Sequence, residues 1–390
     1  MSSTCPQQNA RRARRSFTAM AGAYSCGVFN DNFYKQAALI LAVAAGQTSL
    51  QGYALAVFTL PFILAAAPAG WLADHFAKRQ VIIACKWLEL LAMLLGAAGM
   101  LLDSWPLIFG MLAVMGLQAT LFSPALNGSI PELYPPAEII RANAILRTAS
   151  TTAILLGVAL SGVALDCPGL AWGVARGRWC VGLSVLALAL LGLAFSYGMQ
   201  RHPPLRTNRP FPWSGPWHTW QSLRQIARDK YLSLGLSADV LLWFMGALQI
   251  LIINPLGINQ FSLSKTATSL LIVTQLAGIA AGGFASAKLV TPTRWQRLLL
   301  PAGGGMALTM MLIAGIPYLP ANWSLPILYS ALALVGFWAG LFLIPVESFL
   351  QLRADPQRKG EVWASANFVV FAGILLAGPL SNIINLLWQP

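Results

Sequence analysis

Long continuous apolar runs alternate with short polar ones along nearly all of the 390 residues. Windows of about 19 residues place eleven runs. Six lie near 18–44, 50–73, 80–102, 105–127, 141–165 and 178–199, and five near 231–256, 265–290, 297–318, 324–350 and 361–388. A run of about 20 apolar residues crosses the roughly 30 Å core of a bilayer as a helix. The runs stay apolar throughout and do not alternate over about 10 residues, so the spans are helices and not barrel strands. A helix also satisfies its own backbone in lipid, within one segment. Composition sharpens this picture, with 57% hydrophobic and 9% charged residues against about 25% charged in an average soluble domain. The expectation is an all-α polytopic membrane protein.

Charge orders the loops. With the N-terminus placed in the cytoplasm, most of the 25 Lys and Arg fall on that side. They are Arg11, Arg12, Arg14 and Arg15 in the tail, Lys78 and Arg79, Arg141, then Arg201, Arg206, Arg209, Arg224, Arg228 and Lys230. Lys288, Arg294, Arg297, Arg353, Arg358 and Lys359 follow, while Arg176, Arg178 and Lys265 alone fall outside. This obeys the positive-inside rule. The net charge of +13 is thereby a matter of topology and calls for no nucleic-acid partner. The first run is too long for a signal-peptide core and carries Asp31 and Lys35. The five cysteines show no metal spacing. Cys167 and Cys180 share an outer loop, where a bridge and two free thiols both stay open.

A basic linker over 200–230 divides an N-terminal six-helix bundle (1–199) from a five-helix C-terminal bundle (231–390). Pro203-Pro204, Pro210 and Pro212 break helix in its first part. Beyond them Trp213, Trp217, Trp220, Leu223 and Ile226 recur at spacings of three and four, with Arg224, Arg228 and Lys230 between. This suits a short interfacial helix with Trp at headgroup depth, or a loop packed on the inner face. The halves echo each other. Phe122-Ser123-Pro124 answers Leu343-Ile344-Pro345, and Arg141-Ala142-Asn143 answers Ser365-Ala366-Asn367, at nearly the same offset. Duplicated halves characterise secondary transporters that bind substrate near the midplane. By that symmetry a twelfth span is expected after residue 388.

Ionisable residues inside spans cost at least about 2.5–3.5 kcal/mol and usually face a cavity or a partner. Asn30, Asp31, Asn32 and Lys35 sit in the middle of the first span, with Asp31 and Lys35 four apart in the favourable order for a pair. A structural ion pair is the plain alternative, but the flanking asparagines favour a functional site. Lys86 and Glu89 form a second pair in the third span. Asp239 lies in the seventh, followed by Gln249 and Asn254. These residues are the candidate substrate pathway. Arg147, one turn inside the fifth span, is placed to snorkel. The candidate gate comprises Gly70, expected to permit close helix approach, and Asp74, expected to accept from the next helix N-terminus. It continues with Lys78, Arg79, Glu132, Arg141 and Glu347 near helix ends. A tight charged turn that docks in one state and releases in another would gate the path.

Gly70-x-Leu72-Ala73-Asp74-x-x-x-Lys78-Arg79 resembles the loop 2–3 signature of the major facilitator superfamily, with a degraded copy at Gly282-Gly283-Phe284-Ala285-Ser286-Ala287-Lys288. The resemblance narrows to the lysophospholipid transporter branch through Phe29–Lys35, Gly116–Pro124, Arg141–Ala144, Ile154–Gly157 and Pro345–Gln351. It implies a major facilitator fold of two pseudo-symmetric bundles in a bacterial inner membrane. It also implies inward movement of lysophospholipid, chiefly lysophosphatidylethanolamine, from among the membrane lipids. The product would pass to a re-acylating acyltransferase and acyl-ACP synthetase, fused or separate. The branch commonly places a Lys after Ser123-Pro124-Ala125, where this chain has Leu126-Asn127, so Lys35, Lys86 or Arg147 would have to meet the headgroup phosphate instead. Generic export of drugs or small metabolites, driven by protons, is the alternative, and a transport-dead anchor for a fused enzyme is a third reading. The acyltransferases that partner this branch carry a His with an Asp five positions on as the general base pair, and the chain does not match that pattern. His75, His202 and His218 are followed five positions on by Gln80, Thr207 and Leu223, none an Asp. No catalytic residue, metal or cofactor is expected.

Overall fold

Thirteen α-helices account for the apolar runs in a computed structural model, which describes residues 6–134, 136–200, 211–213, 215–289, 295–353 and 359–387. They are α1 (Pro6–Ala44), α2 (Ser49–Leu64), α3 (Ala66–His75), α4 (Lys78–Leu101), α5 (Trp105–Leu133), α6 (Pro136–Leu165) and α7 (Arg176–Tyr197). After residues 201–210, which lie outside the described residues, come α8 (Gly215–Ile226), α9 (Lys230–Pro255), α10 (Lys265–Leu289), α11 (Leu299–Gly315), α12 (Ala321–Arg353) and α13 (Lys359–Leu387). Among the described residues, nine single helices are long and apolar enough to cross a membrane, and the pair α2 and α3 makes a tenth. Helix α1, which holds the first expected span, is long enough, but Asn30–Gln36 make its middle polar.

Two features within these runs depart from continuous helix, and prolines cause both. The second run is bent by 51° between α2 and α3. Pro68 has no N–H to donate to the Leu64 carbonyl, so the helical ladder lapses there. At the end of α9, Pro255 likewise leaves the Leu251 carbonyl free, and a turn of π-helix follows over Leu256–Gln260. The side chain of Gln51 takes over that carbonyl, its Nε2 donating at 3.3 Å. Between α6 and α7 the chain forms a short antiparallel hairpin, Leu170–Ala171 with Val174–Ala175. Its central Trp172 and Gly173 both have positive φ, 49° and 78°, the geometry of a type I′ turn. Nearby, Cys167 and Cys180 are free thiols, and Cys167 Sγ donates to the Val163 carbonyl at 3.8 Å.

The helices gather into two units, residues 1–38 with 54–216, and residues 39–53 with 217–390. In the first, Met20, Ile82, Cys85, Ala125 and Leu126 anchor a core shared by α1, α4 and α5. The Phe17 and Tyr134 rings meet edge-on against it at 5.3 Å. In the second, α10 and α12 pack backbone to backbone. A Cβ added at Gly278, Gly282, Gly336 or Gly340 would overlap a carbonyl oxygen of the facing helix. Between apolar helices in lipid, close approach of this kind supplies the dispersion contact that a hydrophobic driving force would supply in water. The final turns of α1 and the start of α2 belong to this second unit, where a Cβ at Gly52 would lie 2.8 Å from the Gly378 carbonyl of α13.

Candidate functional site

In the first unit the polar residues of four helices converge. The Lys86 ammonium and the Glu89 carboxylate meet at 2.5 Å, each side chain only 1% exposed. Asn30 Nδ2 donates to Glu89 Oε1 at 3.3 Å and to the Val185 carbonyl at 3.2 Å, and Gln118 Nε2 donates to Glu89 Oε2 at 3.4 Å. The Phe122 ring faces the ammonium at 5.2 Å. Room for that ammonium comes from glycine, since a Cβ at Gly27 would sit 2.8 Å from Lys86 Nζ. Buried charges are tolerated only when paired and hydrogen-bonded, and this cluster meets both conditions. Its geometry is that of a brace across α1, α4, α5 and α7. One turn along α1, the buried Tyr34 hydroxyl donates to the Gly96 carbonyl at 2.8 Å.

Asp31 and Lys35 behave differently. The expected salt bridge between them does not form, because Lys35 Nζ reaches across to α2 and sits over the Phe58 ring at 4.8 Å. Asp31 Oδ1 is buried and has no hydrogen-bond partner. Both side chains stay half-buried, as does Asn32, whose amide returns to its own helix at the Val28 carbonyl, 2.8 Å away. An anion and a cation thus share one helix face without closing on each other, beside a brace whose charges are paired.

In the second unit Asp239 is buried with Oδ1 unpartnered, one turn before Trp243 on α9. Glu347 of α12 is the carboxylate that acts on it electrostatically. Gln275 donates to Gln249 Oε1. Asn254 Nδ2 donates to Gln51 Oε1 at 3.0 Å, which ties α9 to the start of α2. Among the described residues no cluster of His, Cys, Asp and Glu could hold a metal ion.

The segment Gly70–Arg79, which takes in the end of α3 and the start of α4, requires two corrections. Gly70 has no neighbour within 4 Å of where a Cβ would stand, so it permits no close approach; α3 buries Ala69 and Ala73 instead. Asp74 does not cap the next helix. It lies within α3, exposed, while Ala77 is the N-cap of α4 and makes no side-chain hydrogen bond. The basic residues carry the contacts. Lys78 is buried with its stem against Gly128. Arg79 donates to the Met199 carbonyl at 2.8 Å and to the Tyr197 carbonyl at 3.1 Å, closing the carbonyl end of α7, where a cation is favoured. Arg141 is exposed near the start of α6. The Glu132 side chain lies outside the described residues.

Sequence reasoning missed Gln118, Tyr34, Gln51 and Gly27 as members of these networks. Gln118 and Gln51 carried a signal, being polar residues inside apolar runs. Gly27 and Tyr34 carried none without a partner helix to measure against.

Paired helical units with ionisable residues buried inside apolar helices define a multi-pass membrane transporter. A family model described as Major Facilitator Superfamily matches residues 20–378, and the chain belongs to that superfamily. Among curated relatives, it is 28% identical over 349 residues to "Lysophospholipid transporter LplT" of Pectobacterium carotovorum subsp. carotovorum (strain PC1), covering 87% of this chain and 79% of the relative. The protein of the same name from Enterobacter sp. (strain 638) is 28% identical over 359 residues, covering 87% and 81%. Solved structures agree on the fold. A bacterial homolog to the human lysosomal transporter Spinster superposes with a TM-score of 0.72 at 15% identity, covering 94% of this chain and 81% of that one. A D-xylose-proton symporter superposes with a TM-score of 0.66 at 16% identity, covering 95% and 88%.

Proposed function

We propose that this transporter carries lysophospholipid, with lysophosphatidylethanolamine as its substrate, inward across a bacterial inner membrane. The observation that carries the reading is the separation of Asp31 from Lys35. An unpartnered carboxylate oxygen and an ammonium seated over an aromatic face complement a zwitterionic headgroup. Lys35 receives the phosphate and Asp31 the headgroup ammonium, so each charge gains a hydrogen-bonded partner inside the apolar span. The relatives named for lysophospholipid transport support this substrate class. Lys86 is already committed to Glu89 and Arg147 is exposed, which leaves Lys35 as the phosphate ligand in place of the Lys that the branch commonly carries after Ser123-Pro124-Ala125.

The N-terminus lies in the cytoplasm in this reading, and the delivered lysolipid is a substrate for re-acylation by an acyltransferase and acyl-ACP synthetase on that side. The Gly70–Arg79 loop, with Glu132, Arg141 and Glu347, is the gating set. A second reading, proton-driven export of small metabolites, draws on the opposed carboxylates Asp239 and Glu347. Reconstitution separates the readings. Liposomes containing the purified chain are expected to move labelled lysophosphatidylethanolamine between leaflets faster than protein-free liposomes, without an imposed pH gradient. Movement no faster than in protein-free liposomes contradicts the lysolipid reading, and movement only under a pH gradient favours proton coupling.

A further inference from the structure

An apolar groove of about 640 Å³ runs between α8, α9 and α13, lined by Trp220, Leu223, Ser237, Phe244, Val369 and Leu376 among others. Its size falls within the roughly 300–1,000 Å³ of clefts that hold small molecules. Helix α8 sets up one wall by dividing its own apolar residues. Ile226 is buried in a cluster with Leu232, Leu236 and Val346, while Trp217 and Trp220 remain about half exposed. Arg224 stands at the rim, its guanidinium 5.7 Å from the centre of the Trp220 ring. Among the described residues it has no carboxylate partner. Residues 224–230 hold three cations and one carboxylate, Asp229, and both Asp229 oxygens are taken by Arg353 at 2.9 and 3.1 Å.

We propose that this groove is a binding site for one anionic diacyl phospholipid of the leaflet beside α8, with an acyl chain between α9 and α13 and its phosphate on Arg224. Charge decides the occupant. Arg224 lines the rim and, among the described residues, no carboxylate does, so a net-negative headgroup is attracted while a zwitterionic one brings its own ammonium against Arg224. Exposed tryptophans beside it suit headgroup depth, where one edge of the ring is wet and the other apolar. The lipid fills the gap under α8 and fastens that helix to α9 and α13. The groove belongs to a different helical unit from Asp31 and Lys35 and does not depend on which substrate is carried.

Native mass spectrometry of the purified full chain tests this, with phosphatidylglycerol and phosphatidylethanolamine of matched acyl chains added in detergent. Wild type is expected to retain phosphatidylglycerol in preference. Arg224→Gln is expected to lower that preference about five-fold, the weight of one cation at an anionic surface, and Arg224→Lys to keep most of it. Ser237→Phe, which fills the groove from the exposed side of α9, is expected to reduce retention of both lipids. Because Arg224 is exposed, its replacement leaves the fold in place and the comparison readable. Equal retention of the two lipids by wild type overturns the proposal, as does an unchanged preference in Arg224→Gln. So does displacement of the bound lipid by equimolar lysophosphatidylethanolamine, which would make the groove a substrate site.

Discussion

Two pairs of the same composition, each an acid and a lysine on one helix face, take different roles here because their surroundings differ. Lys86 and Glu89 are closed on each other and served by Asn30 and Gln118. Removing one partner leaves the other charge buried and alone, at a cost of about 3–5 kcal/mol. Lys86→Met is therefore expected to lower the melting temperature in detergent sharply, and Lys86→Met with Glu89→Leu to recover much of the loss. A single variant as stable as wild type would show that the brace bears no weight. Asp31 and Lys35 are not closed, so Asp31→Asn keeps the shape of the side chain and leaves the fold intact. Its expected effect is on transport, with folded protein recovered at wild-type yield; a collapse in yield would assign Asp31 to the structure and not to the substrate. The ionisable members of both clusters were legible in the sequence, because charges in apolar runs stand out. Which pair would close was not legible, since that depends on Phe58 and Gln118, residues brought in from other helices.

At the scale of elements, helix ends carry the testable chemistry. Arg79 closes the carbonyl end of α7, and a cation there contributes roughly 0.3–1 kcal/mol. Arg79→Met is expected to loosen α7 by that amount, read as faster hydrogen exchange over its last turn. Unchanged exchange there would leave Arg79 without a capping role. Asp74, exposed and uncommitted, gives a contrasting expectation. Asp74→Ala keeps stability within about 0.5 kcal/mol of wild type and slows cycling; an affinity loss at unchanged turnover contradicts a gating role. At the start of α9 the Arg353 guanidinium, joined by the Leu232 and Tyr231 amides, holds the Asp229 carboxyl below the usual carboxylate range. A depressed folded value means stability that is present above the unfolded value and lost as pH falls through the folded one. Asp229→Asn keeps a capping oxygen but loses the ion pair, so its deficit at neutral pH is expected to vanish at acid pH. A deficit constant with pH would point to packing instead. Helix positions were readable from hydropathy to within a few residues at most ends. The bend at Pro68 and the π-turn after Pro255 were not, because both apolar runs continue unbroken across the proline.

Across the whole molecule, the sequence supplied the membrane class and the helical runs, and the family followed from the loop signature. The glycine contacts that set α10 against α12 needed a structure, since nothing in the chain says which two helices will face each other. The central claim is that a lysolipid headgroup replaces the missing partnership between Asp31 and Lys35. It is tested most directly by uptake of labelled lysophosphatidylethanolamine into bacterial cells lacking their own transporter, comparing wild type, Asp31→Asn and empty vector at matched membrane expression. The account predicts uptake well above vector for wild type and a strong loss for Asp31→Asn. Wild-type uptake equal to vector, or Asp31→Asn uptake equal to wild type, would contradict it.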